Sequence, residues 1–263
     1  MTCDWLDGQV VVIIGGTSGL GASAARACVA AGASVVVVGR DREKIQQIET
    51  ELGDRCAAVA GDARSSDTAE LAIATAQTQF GRFHSLYHVA GGSGRRYGDG
   101  PLEQITDEGI EYVIDLNLKS LLYSNRAAVR AFLKAGASGT ILNMGSVLGE
   151  FPSSPFFATH VYATAKAAIV GLTKSAAAHY ADRNIRFNVI APALVETPMA
   201  QRAADDEQTM EYVRSKQKLD GGRIGQPSDL DAAVVYLLSP QASFVTGQTF
   251  YVDGGWSVCE GQL

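Results

Sequence analysis

The sequence predicts an α/β fold: one doubly wound domain on a mostly parallel, seven-stranded sheet with helices on both faces. Three observations carry this. Seven apolar runs of strand length recur along the 263 residues, helix-period segments separate them almost to the end, and the Val/Ile runs show no polar alternation. Unbroken apolar strands suit a sheet buried on both faces. Strand–helix alternation then implies right-handed crossovers between parallel strands.

The elements follow in order. VVVII (10–14) is the first strand, and a glycine turn leads from it into an alanine-rich helix pattern over 22–31. SVVVVG (34–39) is the second strand, followed by a charged helical stretch over 42–52. CAAVA (56–60), SLYHVA (85–90), TILNM (140–144) and IRFNVIA (185–191) continue the series, and TFYVD (249–253) closes it. Two stretches break the pattern: the glycine-rich loop 91–101 and the polar, helix-prone segment 196–222. In open parallel sheets the ligand crevice lies beyond the carboxyl ends of the strands. Both stretches follow strands, so both are candidates to roof that crevice, with 191–225 as the substrate-side region.

Composition excludes several classes. At 46% hydrophobic and 19% charged residues, the chain is too apolar for disorder and too charged for a membrane bundle. No linker or repeat stands out, so 1–263 reads as one domain. A net charge of −6 argues against a nucleic-acid binder that works through a general basic surface. The N-terminal MTCDWLD has no basic region and carries Asp4 and Asp7, which is not a signal peptide. No apolar stretch approaches the ~20 residues of a membrane span. Cys3, Cys28, Cys56 and Cys259 are scattered, without the close pairs of a zinc or redox site. The expectation is a cytoplasmic protein with reduced thiols and no metal. Glycine is the anomaly: 28 residues, above the ~7% of an average chain.

Part of that glycine lies in Gly15-Gly16-Thr17-Ser18-Gly19-Leu20-Gly21, between the first strand and first helix. Such a turn presents backbone N–H groups and a helix N-terminus to a phosphate, without a basic side chain. At the end of the second strand an acid would hold ribose hydroxyls and repel a 2′-phosphate, whereas arginine would pair with that phosphate. Here Gly39 takes the acid's usual place and Arg40 follows. This favours NADP(H), although Asp41 could rotate in and accept NAD(H). Asp62, in Gly61-Asp62-Ala63 after the third strand, is placed to accept from an adenine amine. Tyr162 and Lys166 share one face of a helical stretch at i,i+4. An ammonium there would lower a phenol's pKa toward the working range and make a proton donor and acceptor for a carbonyl/alcohol couple.

These motifs, in this order, resemble the classical short-chain dehydrogenase/reductase family over essentially the whole chain. The resemblance is carried by GGTSGLG, Asp62, Ala90-Gly91, Asn117 in DLNLKS, Ser146 in NMGSVLG, Tyr162/Lys166, Asn188 and Pro192 in NVIAP, Thr197 in ETPM, and the closing VDGG. It implies a Rossmann-type fold and a Ser/Tyr/Lys/Asn tetrad. Tyr162 would be the general acid/base and Ser146 would orient the substrate carbonyl. Lys166 would hold the nicotinamide ribose and depress the tyrosine, and Asn117 would anchor a water leading to Lys166. Cofactor contacts would come from Gly15, Thr17, Ser18, Gly19, Leu20, Gly21, Arg40, Asp62, Ala63, Ala90 and Gly91, with Val195 and Thr197 at the carboxamide. The chain departs from the family at Ile14, at His88-Val89 before Ala90-Gly91, and at Pro192-Ala193. His88 reads as a hydrogen-bonded strand-end residue. Ser146 and Tyr162 stand sixteen residues apart, a few more than usual, and the extra residues lie in GEFPSSPFFATHV.

That interval holds Phe151, Phe156, Phe157 and His160. The aromatic residues suit an apolar or ring-shaped substrate, or equally a neighbouring subunit. Arg95 and Arg96 could meet an anionic group such as a carrier phosphopantetheine, or be solvated. The reading is an NADP(H)-preferring oxidoreductase of a ketone or secondary alcohol. A 3-oxoacyl-carrier-protein reductase-like activity is the runner-up, and a non-catalytic dinucleotide-binding regulator is the alternative of another class. The resemblance further implies a homotetramer or homodimer, with no nucleic-acid or membrane partner.

Overall fold

Branched side chains pack well on a pleated surface covered from both sides, and the Val/Ile runs form strands for that reason. The computed structural model describes residues 4–153, 156–198 and 200–261; Cys3 lies outside the described residues. The regular elements are β1 (Val10–Ile14), α1 (Gly19–Ala30), β2 (Ser34–Gly39), α2 (Arg42–Leu52), β3 (Cys56–Ala60), α3 (Ser66–Phe80), β4 (Ser85–His88), α4 (Asp107–Val113), α5 (Ser120–Ala135), β5 (Gly139–Met144), α6 (His160–Tyr180), β6 (Ile185–Pro192), α7 (Gln201–Ala204), α8 (Glu207–Lys216), α9 (Asp231–Leu238) and β7 (Thr249–Val252). The strands form one sheet in the order β3-β2-β1-β4-β5-β6-β7, and every pairing is parallel. The order reverses between β1 and β4, which opens the crevice.

Each central strand feeds two cores because successive side chains point to opposite faces. Val11, Ile13, Val35 and Val37 pack with Ala25 and Cys28 of α1 and Val234 and Leu237 of α9. Val10, Val12, Ile14, Val36 and Val38 pack with Ala72, Ile73 and Ala76 of α3 and Ala128 and Phe132 of α5. Burying each of these valine, isoleucine, leucine and phenylalanine side chains is worth about 1.5–3 kcal/mol, so β1 and β2 are anchored on both faces.

Element boundaries differ locally from the sequence expectations. α1 begins at Gly19, three residues before the expected start, with Gly19 itself still at a positive φ of +49°. β4 stops at His88, because the N–H groups of Val89 and Ala90 both turn to the Ile14 carbonyl, at 2.9 and 2.8 Å. Between α4 and α5, Ile114–Lys119 form a π-helical turn that the sequence pattern did not announce. No helix among the described residues is long and apolar enough to cross a membrane.

Candidate active site

The glycine turn lies at the mouth of the crevice. Gly15 has φ +89°, and a Cβ there would stand 2.8 Å from the Ala90 nitrogen, so backbone meets backbone across β1 and β4. Ser18, the N-cap of α1, is extended and makes no side-chain cap bond, and the first turn holds no acid. The N–H groups of Gly19, Leu20 and Gly21, which have no intrahelical partner, thus keep the positive end of α1 for an anion. Thr197 lies over this turn, its Cγ2 3.4 Å from where a Gly19 Cβ would stand. Its hydroxyl donates to the Val195 carbonyl at 3.3 Å. Val195 in turn bridges to Gly225. The cradle offers backbone donors and has no acid in the first turn of α1, which suits a diphosphate.

The end of β2 is more constrained than the sequence indicates. A Cβ on Gly39 would run into the Thr17 side chain, so the strand ends in glycine for lack of room. Asp41 is already used: it caps α2 by accepting from the N–H groups of Glu43 at 3.0 Å and Lys44 at 3.4 Å. Turning toward a ribose would forfeit a cap worth about 1 kcal/mol. Arg40 is exposed. Asp62 is held by Arg64, through the Arg64 N–H at 2.9 Å and the guanidinium at 2.7 Å. That guanidinium, with a smaller contribution from the charge of Arg40, keeps the Asp62 carboxyl below its usual range. Both arginines also act on the Tyr112 hydroxyl. Arg64 is therefore a second cation at this end of the crevice, overlooked in the sequence although Asp-x-Arg was its signal. Ala63 and Ala90 pack against the core beneath.

At the other end, β5 presents Ser146 and α6 presents Tyr162 and Lys166. The Ser146 hydroxyl accepts from the Leu148 N–H at 3.2 Å and is close enough to the Tyr162 phenol to favour its ionised form. Burial pushes the Tyr162 phenol up to about 12, with Ser146 pulling it back. Lys166 is buried; its ammonium donates to the Met144 carbonyl at 2.9 Å and lies 5.4 Å from the Tyr162 ring centroid. Burial brings it down to about 8. Burial thus dominates both groups, and the opposing pull on the phenol comes from Ser146.

Asn117 stands in the π-helical turn, fully buried, and is paired with Gly92 in both directions at 3.0 Å. It also donates to Val113 at 3.1 Å, so its amide is fully engaged as a brace. Lys166 Nζ lies 3.6 Å from where a Gly91 Cβ would stand, which puts Asn117, Gly91 and Lys166 side by side. His88 is buried and bonded to Ser124 at 2.8 Å, Ala90 O at 3.1 Å and Ser120 at 3.3 Å. Burial, then the charge of Lys166, lowers it to about 3, so it is a neutral brace.

The long interval before Tyr162 packs its aromatic residues within the chain. Phe157 meets Trp256 edge-on at 5.5 Å, Phe156 stacks on Tyr212 at 4.9 Å, and Phe151 meets Tyr251 at 5.1 Å. Ser153 donates to the Tyr212 hydroxyl at 2.7 Å. The phenylalanines therefore pack on α8 and the C-terminal turn of their own chain. Together with Val147, Leu148, Leu194 and Met210 they build an apolar wall next to Ser146. Arg95 donates to the Phe156 carbonyl at 2.9 Å, while Arg96 is exposed. Gln217 holds Leu194 through both amide groups, at 3.0 and 3.2 Å, and so fastens the strand-end loop to α8. Asp99, Tyr212 and Trp256 were not legible as site residues, because their partners are far away in sequence.

A glycine cradle at the β1/β4 switch and a hydroxyl pair backed by a buried lysine are the marks of a nicotinamide-dependent oxidoreductase. The family model described as enoyl-(acyl carrier protein) reductase matches residues 15–257. The chain belongs to the short-chain dehydrogenase/reductase family, whose members are NAD(P)-dependent enzymes acting on CH–OH groups. It is 36% identical to 3beta-hydroxysteroid dehydrogenase 1 of Eggerthella lenta, over 98% of this chain and 97% of that one. It is 34% identical to cyclohexanol dehydrogenase of Acinetobacter sp. (strain SE19), over 95% of each. Among solved structures, 3-ketoacyl-(acyl-carrier-protein) reductase from Brucella melitensis complexed with NADH superposes with a TM-score of 0.84 at 28% identity, covering 96% of this chain and 100% of that one.

Proposed function

We propose that the chain interconverts a ketone and a secondary alcohol, with Tyr162 as general acid/base and NADP(H) as the preferred cofactor. The observation that carries this is the buried Lys166 ammonium 5.4 Å from the Tyr162 ring centroid, with Ser146 beside the phenol. The bound nicotinamide supplies or accepts the hydride. Ser146 holds the carbonyl oxygen in line, and Tyr162 gives it a proton in reduction or takes one in oxidation. Lys166 carries the charge that stabilises a phenolate and holds the ribose. Asn117 braces Gly92; with its amide engaged, any water it anchors is held by its main-chain carbonyl. The turn at Gly15–Gly21 receives the diphosphate, Ala63 and Ala90 pack beside the adenosine, and Val195 and Thr197 cover the carboxamide. Arg40 meets a 2′-phosphate, and the preference is supported by Gly39, which has no room for an acid, and by Asp41, which is engaged in capping.

The wall of Phe157 and Tyr212, backed by the buried Trp256, favours a compact, cyclic substrate, and two relatives are named for cyclic alcohols. For the acyl-carrier reading, Arg95 keeps its charge but spends one N–H donor on the Phe156 carbonyl, while Arg96 is exposed. The test is a panel of cyclic and linear ketones and alcohols followed by nicotinamide absorbance, with Tyr162→Phe alongside. We expect turnover of cyclic substrates, a kcat loss of about 100-fold or more in the variant, and dinucleotide binding within about twofold of wild type. Binding without any turnover would favour a dinucleotide-sensing regulator. Turnover confined to acyl thioesters would favour the carrier-protein reductase.

A further inference from the structure

Tyr162 occupies the third position of α6, in the first turn of the helix. First-turn N–H groups have no intrahelical partners, and an uncapped first turn frays. The residue that should cap it, Thr159, makes no side-chain cap bond; its hydroxyl turns to the Phe157 carbonyl at 3.5 Å. The cap comes from elsewhere. Asp99, 4% exposed, accepts from the Val161 N–H and the Tyr162 N–H, each at 3.0 Å, one through each carboxylate oxygen. These are the donors that a local N-cap side chain would satisfy, here taken by a residue more than sixty positions away. A buried carboxylate is costly unless it is hydrogen-bonded, and two N–H groups at the positive end of a helix supply that compensation.

The same loop makes the other fastenings of this segment. The His160 N–H donates to the Gly100 carbonyl at 3.3 Å, and Arg95 donates to the Phe156 carbonyl at 2.9 Å. The loop is itself held, by Asp99 N–H to Gly94 O at 3.1 Å and Thr106 N–H to Gly98 O at 3.1 Å. At its root, Gly92 is locked to Asn117 and Gly91 lies beside Lys166. One short segment thus runs from Lys166 and Asn117 to the backbone nitrogen of Tyr162.

We infer that Asp99 is a positioning residue: by capping α6 from the loop that follows β4, it fixes Tyr162 against the cofactor-side wall of the crevice. This rests on the proposed role of Tyr162. A shift of about 1 Å in a reacting group is enough to cost up to 100-fold in rate, whereas substrate and cofactor contacts made elsewhere are little affected.

The experiment compares wild type, Asp99→Ala, Asp99→Asn and Asp99→Ala/Thr159→Asp, the last with a local cap in place of the distant one. kcat and KM are measured with a turned-over ketone, dinucleotide Kd by nucleotide fluorescence, and Tm by calorimetry. For Asp99→Ala we expect kcat to fall roughly 10- to 100-fold while KM and dinucleotide Kd stay within about threefold. Asp99→Asn, with one acceptor left, should fall between Ala and wild type. The local cap, which offers a carboxylate to the same N–H groups, should raise Tm and recover part of kcat. A wild-type kcat in Asp99→Ala or a loss matching the unfolded fraction would overturn the inference. If Asp99→Ala does not fold, Asp99→Asn decides: lower kcat at unchanged KM supports the role and a wild-type kcat removes it. Tyr162→Phe in the same assay keeps the two claims apart. Full turnover without the phenol removes the role of Tyr162, and that of Asp99 with it. Loss in Tyr162→Phe beside a wild-type Asp99→Ala removes that of Asp99 alone.

Discussion

Cofactor choice is decided at single residues, and the sequence reading located only part of it. Arg40 was read from its place at the strand end, whereas the roles of three of its neighbours were not. Gly39 carries no acid because Thr17 fills the space, Asp41 is committed to α2, and Arg64 enters through its pairing with Asp62. The first depends on side chains brought together by tertiary packing, which no local pattern encodes, whereas the third had a local signal in Asp62-x-Arg64. A prediction follows from the crowding. Arg40→Ala should weaken NADP(H) binding about tenfold and leave NAD(H) within about twofold, since only the 2′-phosphate loses a charged partner. Gly39→Asp alone should weaken both dinucleotides, because the new side chain displaces Thr17 above the diphosphate turn. Gly39→Asp with Thr17→Ala should reverse the preference toward NAD(H). Titration of each variant with both dinucleotides checks this; an unchanged ratio in Arg40→Ala would remove Arg40 from the selection.

Elements were legible where periodicity is strong and illegible where a function bends them. The seven strands were placed within a residue or two because each is an apolar run between turn residues, and Tyr162 and Lys166 were placed on one helix face by spacing alone. The π-helical turn at Asn117 and the folding of Phe156 and Phe157 onto α8 depend on long-range contacts and left no local trace. His88 joins two elements, the end of β4 and α5, and gives the fold a calculable response to acid. Its pKa in the fold is about 3 against an ordinary 6.5. Below pH 6.5 the unfolded chain takes up a proton that the folded chain refuses, so stability falls as pH drops from 6.5 toward 3. The slope from this one group reaches at most about 1.4 kcal/mol per pH unit. His88→Asn keeps a donor and an acceptor for Ser124 and Ala90 but cannot titrate. Urea unfolding at pH 7, 5.5 and 4.5 should therefore show the wild type losing stability faster than the variant. Parallel losses would mean that His88 is protonated within the fold.

At the scale of the molecule, the order of the sheet follows from strand–helix alternation, but its free edge carries information that the pattern did not. β7 is an edge strand, paired only with β6 among the described residues. Phe244 before it is fully exposed, Val258 after it is 84% exposed, and Leu219 nearby in the chain fold is 70% exposed. An open edge flanked by large apolar side chains is a template for association with another chain, and natural proteins cover it or blunt it. A second copy brings an equivalent edge, and burial of each Phe244 would contribute about 1.5–3 kcal/mol. With a net charge of −6 on each chain, like-charge repulsion opposes association and salt relieves it. We therefore expect light scattering at micromolar concentration to give four times the 27.7-kDa chain mass, or twice that mass if only one interface forms, with no dissociation on adding salt. Phe244→Asp places a carboxylate beside this edge and should reduce the assembly by one interface while leaving the far-ultraviolet spectrum unchanged. A wild-type monomer under these conditions, or a variant assembly identical to wild type, would show that the β7 edge is not where copies meet.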